Sequence, residues 1–141
     1  MAVLDYILIV DDNRADRILL EFEFERLGLA RHIQCLEHGG MALDFLSDLS
    51  RQDNDGSGLP SIIFLDVNMP YMDGFQFLSE FAKLKNSIPI LDTFMIIVLV
   101  SVPLSDDAEQ GLAYPFVRDS LVKMDISADH LQELVEKCLS S

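Results

Sequence analysis

The sequence predicts an α/β fold in which one parallel β-sheet is covered by helices on both faces. Short apolar runs without polar alternation recur along the chain, which is typical of strands that are buried on both sides. Segments with apolar residues at helical spacing separate these runs, and parallel neighbours require such crossovers. At 141 residues, the chain has room for one domain with a full core. We therefore expect a single unit spanning residues 1–141.

The composition narrows the class of protein. Hydrophobic residues make up 50% of the chain and charged residues 24%, a balance typical of a packed protein rather than a disordered one. Asp and Glu outnumber Lys and Arg by 24 to 10, which gives a formal charge of -14. Because this charge repels phosphate backbones, we expect no direct nucleic-acid binding.

Neither a membrane span nor a secretion signal is expected. The longest strongly apolar run, Phe94–Val100, is far shorter than the roughly 18 residues of a membrane helix. The N-terminal segment carries Asp5 and no basic leader, which favours a cytoplasmic location. Cys35 and Cys138 stand alone in the sequence, so we expect two reduced core cysteines and no disulfide or zinc site.

The first strand is predicted over residues 6–10 and ends at Asp11-Asp12-Asn13. The helix that follows ends at Gly28, a common helix stop. The spacing of four apolar residues predicts this helix, because they recur at i, i+3, i+4 and i+7: Ala15, Ile18, Leu19 and Phe22. A weaker second strand over residues 32–36, a second helix from about residue 41 and a polar loop come next.

The third strand, residues 61–65, again ends in an acid, Asp66, and turn signals follow at Pro70 and Asp73-Gly74. The third helix carries one apolar stripe through Leu78 and a second through Phe77 and Phe81. We interpret the second stripe as core rather than as a partner surface. The remaining elements are a strong strand over 94–100, a helix over 106–112, a short strand over 120–122 and a last helix capped by Ser127.

Five alternating strand and helix units favour a flavodoxin-like, doubly wound five-stranded sheet with five helices and strand order 2-1-3-4-5. In that order the ligand crevice lies outside the carboxyl ends of strands 1 and 3. The predicted strands end at five polar residues, which this topology brings to one rim: Asp11, Asp12, Asp66, Ser101 and Lys123.

Three carboxylates at one rim repel one another unless a cation balances them. Mg²⁺ is the natural occupant, because it accepts carboxylates and keeps sites for water and phosphate oxygens. Lys123 balances the remaining charge. The set suits phosphoryl transfer, with Asp66 as the nucleophile and with Lys123 and Ser101 on the phosphoryl oxygens. Each acid alone would be interpreted as a helix cap or a turn residue, whereas the rim residues together favour phosphoryl transfer.

The segments ILIVDDN, IIFLDVNMPYMDGF, VLVS and SLVK resemble the receiver domain of two-component response regulators over nearly the whole chain. The resemblance implies a protein that assists its own aspartyl phosphorylation and dephosphorylation and has no other enzyme activity. From the length of 141 residues we expect no output domain beside the receiver. It implies Mg²⁺ as cofactor and a histidine kinase or histidine phosphotransfer protein as donor. A downstream partner would read the surface of the fourth helix, fifth strand and fifth helix. The implied site comprises Asp66 as the phosphorylation site, Asp11 and Asp12 as the acidic pair, the Asn68 backbone carbonyl as a metal ligand, and Ser101 and Lys123 as phosphate contacts.

Three positions depart from the receiver pattern. Ser120 stands where receivers usually have Tyr or Phe, and we expect Tyr114 and Phe116 to pack the nearby loop rather than replace that ring. Met124 stands in place of a proline that follows a cis peptide bond, so we expect a trans bond or a shifted loop. Val102 replaces Ala or Gly, and we hypothesise that it slows phosphoryl turnover. These departures keep open a second interpretation, a receiver-fold adapter that binds partners independently of phosphate.

Overall fold

The computed structural model describes residues 4–51, 61–67, 72–88, 94–100 and 114–139. Five parallel strands form one sheet in the order β2-β1-β3-β4-β5, which confirms the predicted topology. The strands are β1 (Leu4–Val10), β2 (Ala30–Leu36), β3 (Ser61–Asp66), β4 (Phe94–Val100) and β5 (Val117–Val122). The described helices are α1 (Arg14–Leu27), α2 (Gly39–Arg51), α3 (Gly74–Ser87) and α4 (Ala128–Leu139), and a 3₁₀ turn spans Lys123–Asp125.

The fourth predicted helix, residues 106–112, lies outside the described residues, and the last predicted helix is α4. The strand β5 begins at Val117 rather than at Ser120. It lies at the edge of the described sheet, where Arg118 is exposed and only Val117 and Leu121 are buried. Because an edge strand tolerates polar side chains, the apolar pattern revealed only its last residues.

Alternate residues of the central strands pack on opposite faces of the sheet. Leu8 and Val10 of β1 belong to the core cluster that α2 and α3 cover. Ile7 and Ile9 belong to the cluster that α1 and α4 cover. Because both faces are buried, these strands are continuous apolar runs without alternation.

The second apolar stripe of α3 belongs to the core, as predicted. Phe77 and Phe81 are fully buried, and Leu84 packs against the same cluster. The rings of Tyr114 and Phe116 are partly buried against this cluster, and the centroid of Phe116 lies 5.1 Å from that of Phe81. The two rings therefore pack the approach to β5, as the sequence analysis expected.

The helix α1 is present as predicted, but the four residues whose spacing predicted it do not form its core face. Its buried residues are Leu20 and Phe24, and the Phe24 ring meets Phe64 of β3 edge-on at 5.2 Å. The four residues of that spacing point away from the sheet and leave large side chains exposed: Ile18 at 55%, Leu19 at 52% and Phe22 at 55%, with Ala15 also exposed. The helix has two apolar faces, and helical spacing alone does not tell which one meets the sheet.

The helix caps that the sequence suggests are present in the structure. Asn13 caps α1 by accepting a hydrogen bond from the Asp16 backbone N–H at 3.1 Å, and Gly28 ends the helix with a positive φ of 64°. The predicted Ser127 cap accepts from the His130 backbone N–H at 3.2 Å. Both cysteines are free, Cys138 buried and Cys35 partly exposed. In the described part of the chain, no helix is long and apolar enough to cross a bilayer.

Candidate functional site

The register of the sheet gathers the predicted acids at one rim. Val10 of β1 lies beside Leu65 of β3, so the next residues, Asp11 and Asp66, emerge from neighbouring strand ends. Both are buried, with 1% and 2% exposure, whereas Asp12 is exposed. On the other side, Lys123 directly follows β5. The side chains line an open cleft together with the start of α1: Asp12, Asn13, Arg14, Ala15, Asp16, Asp66 and Lys123.

Hydrogen bonds on three sides hold Asp11 in place. Its backbone N–H donates to the Leu36 carbonyl at 3.1 Å. Its Oδ1 accepts from the Asn13 backbone N–H at 2.9 Å, and its carbonyl accepts from Arg17 Nη1 at 2.6 Å. The same contacts join the end of β1 to the first turns of α1.

The three acids form a set that fits Mg²⁺. One carboxylate oxygen from each of Asp11, Asp12 and Asp66 lies within 4.8 Å of the others. In octahedral coordination with bonds of about 2.1 Å, opposite ligands lie about 4.2 Å apart. Because three ligands of one ion include at least two adjacent pairs, which lie about 3.0 Å apart, the oxygens have to move closer together or bind the ion through water. The implied carbonyl ligand, Asn68, lies outside the described residues.

Lys123 contacts the acids directly, as predicted. Its Nζ lies 2.9 Å from Asp11 Oδ2 and 3.4 Å from Asp66 Oδ2. A further contact of 2.9 Å joins Nζ to Asp16 Oδ2. Burial by itself would lower the pKa of Lys123, but the hydrogen bonds to Asp11 and Asp16 and the charge of Asp66 outweigh it and raise that pKa above its usual value. Lys123 therefore stays an ammonium.

Sequence reasoning missed Asp16. The residue lies in the first turn of α1, a place where an acid is common because it interacts favourably with the helix N-terminus. Its partner is 107 residues away in the chain, and helical spacing carries no signal for such a contact. The one available clue was that a helix after strand 1 begins at the predicted rim.

Close packing fixes the backbone next to Asp66. The Val67 N–H donates to the Leu99 carbonyl at 3.4 Å, and the Gly74 N–H donates to the Val67 carbonyl at 3.0 Å. A Cβ on residue 74 would lie 2.6 Å from Val67 Cα, far inside the usual contact distance. The predicted turn at Asp73-Gly74 therefore needs glycine for this approach, and Asp73 caps α3 through a reciprocal bond with Gln76.

The departures from the receiver pattern have separate outcomes. No peptide bond among the described residues is cis, so the bond before Met124 is trans, as expected, and Met124 is 88% exposed in the 3₁₀ turn. Ser120 is half-buried and supplies no ring. Ser101 and Val102 lie outside the described residues, so their predicted roles stay predictions.

Comparison with known proteins agrees with this geometry. The family model for the response regulator receiver domain matches residues 7–135. The probable methanogenesis regulatory protein FilR2 of Methanothrix harundinacea is 31% identical over 131 residues, which cover 93% of this chain and 79% of that protein. A two-component response regulator from Cytophaga hutchinsonii has the same fold, with a TM-score of 0.82, 24% identity and 99% of each chain covered.

Two further solved structures have the same fold. The receiver domain of the histidine kinase CKI1 from Arabidopsis thaliana, complexed with Mg²⁺ and BeF₃⁻, has a TM-score of 0.76 and 22% identity, with 97% of this chain and 91% of that one covered. The receiver domain of Ssk1 from Saccharomyces cerevisiae, in a co-crystal with the histidine phosphotransfer protein Ypd1, has a TM-score of 0.77 and 16% identity over 99% and 92% of the two chains.

Proposed function

The chain belongs to the response regulator receiver domain family of two-component signalling, and we propose that it accepts a phosphoryl group on Asp66. The observation that carries the proposal is the pairing of a buried carboxylate with an ammonium at the cleft. Asp66 is 2% exposed, its Oδ2 lies 3.4 Å from Lys123 Nζ, and it lines the cleft. This geometry supports a nucleophile that a donor can reach and a fixed positive charge beside it.

In the proposed reaction, a carboxylate oxygen of Asp66 attacks the phosphorus of a phosphohistidine. The new bond is O–P, the P–N bond of the donor breaks, and its electron pair stays on the imidazole nitrogen. Lys123 neutralises charge that builds up on the phosphoryl oxygens, which is the main work of a protein in this kind of transfer. Ser101, beyond the described residues, remains the predicted second contact. The chain thus assists its own phosphorylation and dephosphorylation and is not otherwise proposed to be an enzyme.

Asp11, Asp12 and Asp66 would hold the Mg²⁺ ion, together with the Asn68 carbonyl. When bound, the ion offsets the repulsion among the carboxylates and the charge of the phosphoryl group. The CKI1 receiver domain complexed with Mg²⁺ and BeF₃⁻ supports this choice of ion by likeness of fold.

The exposed apolar face of α1, defined by Ala15, Ile18, Leu19 and Phe22, is the proposed docking surface for the phosphodonor. Ala15 also lines the cleft, so the face is continuous with the site that a donor histidine must reach. Three large side chains more than half exposed on one helix form a patch of the kind that marks protein contacts. The co-crystal of Ssk1 with a phosphotransfer protein supports a donor of this class.

The phosphorylated form is proposed to switch or relay to a partner protein. The predicted reading surface includes β5 and α4, together with the fourth predicted helix that lies outside the described residues. A cytoplasmic location remains a prediction from the sequence.

The test is intact-mass analysis after incubation with Mg²⁺ and acetyl phosphate, run beside Asp66→Asn. A phosphoryl adduct on the wild type and none on the variant is the expected result. A folded wild type that takes no adduct and binds no phosphate mimic contradicts the proposal.

The second candidate is an adapter that binds partners independently of phosphate. It is favoured by Ser120, which is half-buried at the position of the usual aromatic switch residue. Capture of partner proteins by phosphorylated wild type and by Asp66→Asn separates the two functions. An adapter binds its partners equally well whether or not residue 66 carries a phosphoryl group.

A further inference from the structure

Asp16 is a fourth acid beside the three that the proposed metal site uses, and two contacts fix its position. Its backbone N–H donates to Asn13 Oδ1 at 3.1 Å. Its Oδ2 lies 2.9 Å from Lys123 Nζ, across the cleft that both residues line. The acid thus joins the first turn of α1 to the end of β5.

A role in starting the helix does not account for this contact. An acid in the first turn stabilises any helix, and Asp129 occupies a comparable place in α4. Among the described residues, however, the acids within 4.0 Å of Lys123 Nζ are Asp11, Asp16 and Asp66. Asp129 therefore provides the helix-start role without the lysine contact.

We propose that Asp16 is a positioning residue that competes with the phosphoryl group on Asp66 for the Lys123 ammonium. The inference rests on the proposed function. Lys123 has three N–H donors, and its two shortest contacts, both 2.9 Å, go to Asp11 and Asp16 rather than to Asp66 at 3.4 Å. Only the third donor is left for a phosphoryl oxygen, and for a full hydrogen bond there the ammonium, now 3.4 Å from Asp66 Oδ2, has to shift and weaken one of the two short contacts.

Burial decides which contact yields. The Asp11 side chain is 1% exposed, so water cannot take the place of the lysine there, and breaking this buried contact is costly. The Asp16 side chain is 37% exposed, so water solvates it when the lysine leaves, and such contacts are weak. Asp16 therefore holds Lys123 in the unphosphorylated protein and releases it to the phosphoryl group.

The test measures binding of the phosphoryl mimic BeF₃⁻ by ¹⁹F NMR at saturating Mg²⁺. Saturation is needed because loss of a nearby acid by itself weakens cation binding. Asp16→Asn keeps the shape and removes the charge, and it should bind BeF₃⁻ about two- to fivefold more tightly than wild type, the range expected for a partly exposed ion pair. Asp16→Ser, a second variant with a good helix-start residue, should do the same. Asp16→Glu should restore affinity near that of wild type, and Asp129→Asn is the matched control with no gain.

A second readout needs neither metal nor mimic. The ¹⁵N ammonium signal of Lys123, identified by its loss in Lys123→Gln, should exchange its protons with water faster in Asp16→Asn and not in Asp129→Asn. An unchanged signal, or unchanged BeF₃⁻ affinity in both Asp16→Asn and Asp16→Ser, overturns the inference while the proposed function stands. A folded wild type that binds no BeF₃⁻ overturns the proposed function and the inference together.

Discussion

Replacing Gly74 with alanine should lower the free energy of unfolding, because the new Cβ would meet backbone. It would lie 2.6 Å from Val67 Cα, 3.0 Å from Val67 Cγ1 and 3.1 Å from the Asp66 carbonyl oxygen, whereas carbon atoms in contact are normally about 3.5–4.0 Å apart. Overpacking of this kind costs about 1–3 kcal/mol. Alanine regains about 0.5–1 kcal/mol in a helix, so we expect a net loss of up to about 2.5 kcal/mol.

The matched control is Gly40→Ala, because Gly40 also lies at the start of a helix, α2. A Cβ there would meet only His38 side-chain atoms, at 3.4 Å or more, which is an ordinary contact. Gly40→Ala should therefore be neutral or stabilising by about 0.4–1 kcal/mol. Urea denaturation followed by circular dichroism measures both variants, and equal stability of the two would refute the steric argument.

The same substitution should also disturb the site. Val67 directly follows Asp66, so the shift that relieves the contact moves the backbone that carries the carboxylate. Under conditions in which Gly74→Ala is still folded, it should accept less phosphoryl group from acetyl phosphate than Gly40→Ala does. Equal phosphorylation of the two variants would mean that the loop can yield without moving Asp66.

Three further predictions concern α1 and its neighbour Cys35. Phe24→Ala should cost about 3–5 kcal/mol of unfolding free energy because it empties a core position, whereas Phe22→Ala should stay within about 0.5 kcal/mol; similar losses in urea denaturation would contradict the assignment of the two faces. Phe22→Glu should slow phosphorylation by a phosphotransfer protein but not by acetyl phosphate, and equal slowing with both donors would contradict the proposed docking face. Burial and the hydrogen bond to Glu21 raise the pKa of the Cys35 thiol to about 12, so at pH 9 only about one thiol in a thousand is ionised, against about three quarters for an unperturbed thiol. This raised pKa favours the folded state at neutral pH, and the advantage is lost as the pH rises from about 9 towards 12. A thiol reagent at pH 9 should therefore label Cys35 far more slowly in folded than in urea-unfolded protein. The variant Cys35→Ser is the control.

The sheet was predictable because its strands leave a clear signal in the sequence. Runs such as the one in β4 (Phe94–Val100) are apolar at every position, and such runs arise only where both faces are covered. The alternation of strands and helices predicted a parallel sheet, and the strand order rested on the number of units together with the resemblance to receivers. The positions of Asp11, Asp66 and Lys123 then followed, because the carboxyl ends of parallel strands share one edge.

The sequence did not predict contacts that depend on which of two similar apolar faces of a helix meets the sheet. Helical spacing identified an apolar face of α1, but Leu20 and Phe24 form a second one, and the approach of the helix to the sheet selects between them. That approach is set partly by Arg17, whose Nη1 bonds the Asp11 carbonyl. A guanidinium on a helix is usually a solvated charge, so its spacing gives no warning of such a contact.

The helix α1 therefore connects the proposed phosphorylation site with the proposed docking surface for the phosphodonor. Arg17 and Asp16 tie it to the site, through the Asp11 carbonyl at 2.6 Å and Lys123 Nζ at 2.9 Å, while Ile18 and Phe22 remain exposed on its far side. A donor on that face thus contacts an element already joined to the site and need not rearrange it. A switch, by contrast, requires contacts that differ between two states. Lys123 is the described residue whose contacts must change when Asp66 carries a phosphoryl group, and it directly follows β5. Because Ser120 provides no ring on that strand, the movement of Lys123 away from Asp16 is the change among the described residues from which the proposed signal can start.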